Sequence, residues 1–137
     1  MWKNNELITE YAASRPGSTT WFRRAREVLG GWVGHDLRHF EPLPLYIQRG
    51  AGGRKWDVDG NEYIDYVGTW GPAILGHANP TIIEAVKNAA EQGTSFGIPN
   101  EHEIRMAQLV KKFMPSVGKI RMVNSGTEAC MRYAISC

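Results

Sequence analysis

The chain has little of what would place it outside an ordinary soluble fold. Its 137 residues include two cysteines, Cys130 and Cys137. They fall on one predicted helix, seven positions apart, which is roughly 10 Å along the axis and beyond the reach of a disulfide. That excludes a disulfide-stapled secreted scaffold and suits two small apolar residues packed in a reducing compartment. No apolar run approaches the length of a membrane span. Met1-Trp-Lys-Asn-Asn-Glu6 lacks the apolar core of a secretory signal, so the chain reads as cytoplasmic, with no membrane partner. Net charge is scarce too: 16 Lys and Arg against 14 Asp and Glu leave +2, which gives no argument for a nucleic-acid partner. Arg23, Arg24 and Arg26 do cluster, and they read as the solvated face of a helix. No metal site is expected. His35, Asp36 and His39 match no zinc spacing and have no cysteine nearby. Asp57, Asp59 and Gly60 fail as a calcium loop, because the glycine falls too early and the closing glutamate is missing.

What is present suits one domain of ordinary size, with 42% hydrophobic and 22% charged residues. Residues 1–29 read as helical, with Leu7, Ile8 and Tyr11 before a break at Arg15-Pro16-Gly17. A second helical segment starts at Ser18 or Thr19 and ends at Gly30-Gly31. Gly30 to Pro44 carries no regular pattern. Leu45-Tyr-Ile47 begins a strand. Trp56 to Tyr66 is a hairpin turning at Asp59-Gly60. Asn79 as N-cap and Pro80 at the first position open an amphipathic helix over Thr81–Gln92, which leaves His77 as a structural loop residue. Asn100 with Glu103 forms a capping box for a helix to about Met114, with Ile104, Ala107, Val110 and Met114 facing inward; Pro115 stops it.

The stretch Lys119-Ile-Arg-Met-Val-Asn-Ser-Gly-Thr-Glu-Ala129 reads as strand, turn and helix start. Ile120, Met122 and Val123 supply strand character. Ser125 and Glu128 form a capping box. The first amides of a helix have no intrahelical partners, and the helix dipole places partial positive charge beside them. With Gly126 allowing close approach and the Ser125 and Thr127 hydroxyls nearby, the turn suits a phosphate. A plain helix start accounts for the same four residues.

Asn124-Ser-Gly-Thr-Glu-Ala129 resembles the phosphate-binding turn of class III aminotransferases, enzymes that use pyridoxal 5′-phosphate (PLP). Thr69-Trp-Gly-Pro-Ala-Ile-Leu-Gly-His77 and Ser95-Phe-Gly-Ile-Pro-Asn-Glu-His-Glu103 resemble segments of the glutamate-1-semialdehyde 2,1-aminomutase branch. The likeness runs from about Gly30 onward. It implies an α/β chain, the N-terminal part of a PLP-dependent transferase fold (fold type I). Residues 1–80 would form an N-terminal segment with a small antiparallel hairpin. Residues 81–137 would open the major, mainly parallel-sheet domain, incomplete here because a strand and helix need a following parallel strand. The chain is therefore expected to be a fragment.

The resemblance further implies an intramolecular amino transfer giving 5-aminolevulinate, on the way to tetrapyrroles, with a homodimer as the assembly and a small amino-aldehyde or amino-acid substrate. Ser125, Gly126 and Thr127 would hold the PLP phosphate. Arg38 would hold a substrate carboxylate, for which a guanidinium fork is suited, although one extra residue separates it from Gly30-Gly31; an ordinary loop arginine is the other reading. Trp70 would line the substrate pocket, and a buried core tryptophan is its alternative. No catalytic residue is expected in this chain. The lysine that anchors the cofactor covalently lies downstream in such enzymes, and Lys3, Lys55, Lys87, Lys111, Lys112 and Lys119 read as surface residues. The altered loop and Thr69, where the aminomutases carry serine, leave open an ω- or β-amino-acid aminotransferase using a keto-acid acceptor. A non-catalytic module that binds a phosphate ligand is the reading from another class.

Overall fold

The computed structural model describes residues 5–136. What the sequence implies for Met1 to Asn4 and for Cys137 lies outside the described residues. The chain divides into two units, Met1–Asn88 and Ala89–Cys137.

The first unit opens with helices α1 (Glu6–Ala13) and α2 (Pro16–Val28). Asn5 caps α1, its side chain accepting from the Leu7 N–H at 2.9 Å. The expected break is present but shorter, and α2 starts at Pro16 rather than Ser18. Proline suits a first helical position, where its missing N–H is not needed. The residue before it, Arg15, supplies no side-chain cap. The cap comes instead from far along the sequence: Asp59 accepts from the Gly17 N–H at 2.6 Å and the Ser18 N–H at 3.0 Å. A Cβ on Gly17 would stand 2.8 Å from Asp59 Oδ1, so this approach requires glycine.

Asp59 sits in the turn of a three-stranded antiparallel sheet, β1 (Ile47–Ala51), β2 (Arg54–Asp57) and β3 (Glu62–Ile64), in the order β1-β2-β3. The first strand begins at Ile47, two residues later than expected, with a register irregularity before Arg49. Buried Asp57 organises the turn. It accepts from the N–H groups of Asp59 and Asn61, the Asn61 amide and the Tyr63 hydroxyl, all at 2.8–3.0 Å. Burial alone would push its carboxyl up. The bonds from Asn61 and Tyr63 outweigh that and hold it below its ordinary value.

Apolar core is sparse. Among the described residues the buried hydrophobics are Ala25 and Leu43. Polar ties supplement them: the Tyr46 N–H bonds to buried Ser18 Oγ at 3.3 Å, and the Tyr11 hydroxyl to the Leu43 carbonyl at 3.4 Å. Arg24 and Arg26 lie over the rings of Trp21 and Trp32 at 4.9 Å, while Arg23, Arg24 and Arg26 stay exposed, as the solvated-face reading requires. Helix α3 (Pro80–Glu91) opens as expected, with Asn79 Oδ1 accepting from the Thr81 and Ile82 N–H groups.

In the second unit, α4 (Glu101–Phe113) is capped by Asn100 through the His102 N–H at 2.9 Å. The expected return bond from Glu103 is absent among the described residues. Glu101 pairs instead with Arg105, one turn on, at 2.9 Å. The expected inward face is largely uncovered among the described residues. Ile104 and Met114 are exposed, and only Ala107 and Val110 are half-buried. Residues 119–124 form no strand, contrary to expectation. Apolar side chains favour extended backbone, but a strand also needs a neighbour to take its N–H and C=O groups, and none of the described segments pairs there. Helix α5 (Gly126–Ser136) follows. It leaves Cys130 exposed rather than packed.

Candidate functional site

At the start of α5 the capping box forms with one change of partner. Ser125 Oγ accepts from the Glu128 N–H at 3.1 Å, and the Ser125 carbonyl from the Ala129 N–H at 3.1 Å. The Glu128 carboxylate reaches back one residue further than usual, to the Asn124 N–H at 2.7 Å. That uses the third and fourth helix amides and leaves the first two. The N–H groups of Gly126 and Thr127 have no partner among the described residues. A Cβ built on Gly126 meets nothing within 4 Å, so the mouth of the helix is open. An open cleft of about 550 Å³ beside it is lined by Met122, Val123, Asn124, Glu128, Met131 and Arg132.

The structure brings two other expected residues into one neighbourhood of the first unit. Arg38 ends a short 3-10 turn, Asp36–Arg38, and Trp70 ends another, Gly68–Trp70. The rings of His35 and Trp70 stand 6.5 Å apart at 41°, joining the two turns. Arg38 is exposed and makes no ion pair among the described residues. Trp70 is 57% exposed in this chain, so its ring is not part of a core among the described residues. Its backbone is unusual: Gly68, Thr69 and Trp70 have φ of 52°, 57° and 57°. Left-handed backbone at a non-glycine residue costs on the order of 1–3 kcal/mol, so the surroundings must impose it.

They do so through residues that sequence reasoning passed over. The Asp65 side chain is 2% exposed. Its Oδ1 accepts from the Val67 N–H at 3.1 Å, the Gly68 N–H at 3.2 Å and Lys55 Nζ at 2.7 Å, and its Oδ2 from His77 Nε2 at 2.6 Å. The bond from Lys55, and next that from His77, hold its carboxyl well below the ordinary carboxylate range. Lys55 is thus an ion-pair partner and not the free surface lysine expected. His77 is structural, as expected: its N–H and C=O both bond to Gly52 at 2.8 Å. A visible signal existed in Asp65-Tyr-Val-Gly68, where an aspartate precedes two amides it can reach. The pairing with Lys55 and His77 had none.

The family model for class-III aminotransferases matches residues 37–135. A glutamate-1-semialdehyde 2,1-aminomutase of Syntrophomonas wolfei is 55% identical over 113 residues, covering 80% of this chain and 26% of its own length. An omega-transaminase from Sphaerobacter thermophilus is similar in structure, with a TM-score of 0.83 and 40% identity over 89% of this chain and 28% of its own. A transaminase solved with PLP bound has a TM-score of 0.82 and 36% identity, over 85% of this chain and 28% of its own. The chain therefore spans about a quarter of the length of the relatives it matches. Because the matched span takes in both tryptophan and serine turns as well as the sheet between Arg38 and His77, the chain belongs to the class III aminotransferase family.

Proposed function

We propose that this chain is the N-terminal portion of a PLP-dependent glutamate-1-semialdehyde 2,1-aminomutase, and that its part in the reaction is positioning. The observation that carries this is the open mouth of α5. Two amides, at Gly126 and Thr127, have no partner among the described residues, the turn carries the Ser125 and Thr127 hydroxyls, and a Cβ built at position 126 meets nothing within 4 Å. The residues present thus fit a phosphate monoester, which helix N-termini favour through both free donors and dipole. Ser125, Gly126 and Thr127 hold that phosphate in this reading. PLP, when bound, supplies an electron sink for the charge that develops beside the substrate nitrogen. Arg38, exposed and without an ion-pair partner among the described residues, offers a fork to a substrate carboxylate. Trp70 presents its ring as a pocket wall. No acid, base or nucleophile is assigned within the chain. The apolar faces of α3 and α4, which include Ile82, Val86, Ile104 and Phe113, are read as surfaces that the remainder of the polypeptide covers. A homodimer, a cytoplasmic location and a small amino-aldehyde substrate belong to the same reading.

Two observations favour a second reading, an ω- or β-amino-acid aminotransferase. The omega-transaminase likeness reaches 40% identity, and Thr69 stands where the resembling aminomutase segment carries serine. Assay of the polypeptide encoded by the full open reading frame separates the two. The aminomutase reading expects 5-aminolevulinate from glutamate-1-semialdehyde with no keto acid added. Turnover that appears only with a keto-acid acceptor contradicts it and supports the second.

A further inference from the structure

We propose that Asp65, clamped by Lys55 and His77, is a positioning residue that sets Trp70 in its left-handed turn and thereby fixes the pocket wall. This rests on the reading of Trp70 as a substrate-side residue. The bonds form one continuous chain from sheet to ring. His77 is fastened to Gly52, at the turn after β1, by reciprocal backbone bonds of 2.8 Å. Its ring packs so close to β1 that a Cβ on Gly50 would stand 2.6 Å from His77 Cγ. Lys55 projects from β2, and both side chains end on the Asp65 carboxylate. The Asp65 N–H is itself tied to the Gly53 carbonyl at 2.8 Å. The carboxylate then takes the N–H groups of Val67 and Gly68. The carbonyls of those same two residues accept the next turn: Val67 from the Trp70 N–H at 2.9 Å, Gly68 from the Gly71 and Ala73 N–H groups at 3.0 Å each. One of the two peptides that Asp65 orients, Val67–Gly68, is therefore the one on which the Trp70 N–H hangs, and the next peptide, Gly68–Thr69, takes Gly71 and Ala73. An aspartate suits this place, because a neutral side chain gives up the attraction of the Lys55 ammonium that helps hold it in register.

Two measurements on separate footings test this. Amide hydrogen exchange on the chain itself reads the clamp without any activity. Asp65→Ala is expected to speed exchange at Gly68, Trp70 and Gly71 by about tenfold, with the β2–β3 ladder changing less than about twofold. Equal acceleration across the ladder, or none at 68–71, overturns the proposal. In the polypeptide encoded by the full open reading frame, Asp65→Ala is expected to raise KM about tenfold with kcat nearly unchanged, and Asp65→Asn, which keeps an acceptor for both amides but loses the charge toward Lys55, to recover part of that loss. On a Trp70→Ala background the Asp65→Ala effect should fall below about twofold, since residues acting through one another are not additive. Full additivity overturns the proposal. A Trp70→Ala variant with unchanged KM sinks the pocket-wall reading instead, and the exchange result still decides whether Asp65 sets the turn.

Discussion

Single carboxylates do unusual duty in this chain. Asp59 caps helix α2 through the Gly17 N–H, 42 residues earlier in sequence, a task no local pattern announces. Asp59→Ala removes both bonds and should cost about 1–2 kcal/mol, the range for losing an N-cap; urea unfolding of the chain measures it, and a loss near zero contradicts the assignment. Asp57 was legible as part of a hairpin, since Asp59-Gly60 marks the turn, but its burial under four donors was not. Its folded carboxyl titrates below its ordinary value. A group depressed in this way adds stability above the unfolded pKa of 3.8 and loses it as pH falls through the folded value. The unfolding midpoint is therefore expected to hold level above about pH 5 and to fall below pH 4. Asp57→Asn should lower the plateau and flatten the acid limb, and an acid limb as steep as in the parent chain contradicts this origin.

At the scale of elements, starts were easier to read than faces. Asn79-Pro80, Asn100 and Ser125 each announce a helix because capping is chemistry between near neighbours, and all three side chains cap as expected. The strand expected at 119–124 is missing for the complementary reason: strands are completed by partners, and apolar content alone does not supply one. The inward face expected of α4 has no cover among the described residues, since Ile104 is 61% exposed; periodicity defines a stripe without defining what lies against it. At α5 the cap has separable roles. Ser125→Ala should destabilise the helix start by about 1 kcal/mol, seen as lower amide protection at Glu128. If the hydroxyl also donates to the phosphate, as proposed, the same change should weaken phosphate binding. Unaltered phosphate affinity would leave Ser125 as a cap alone.

Across the whole molecule, function is legible where local chemistry carries it and hidden where distant segments meet. The serine turn can be read from six residues. The route from the sheet through His77 and Asp65 to Trp70 joins positions 50 to 77 and emerges only from coordinates. Sparse apolar burial, with Ala25 and Leu43 as its described members, makes the chain depend on caps and polar ties more than a typical domain does. Among the described residues no helix is long and apolar enough to cross a membrane. The central claim is that the first two amides of α5 receive the cofactor phosphate. Titration of the isotopically labelled chain with PLP, inorganic phosphate and pyridoxal, followed by amide resonances, tests it most directly. The account predicts that Gly126 and Thr127 shift with PLP and with phosphate and stay in place with pyridoxal, which lacks the phosphate. Resonances unmoved by all three ligands, or moved equally by pyridoxal, would contradict it.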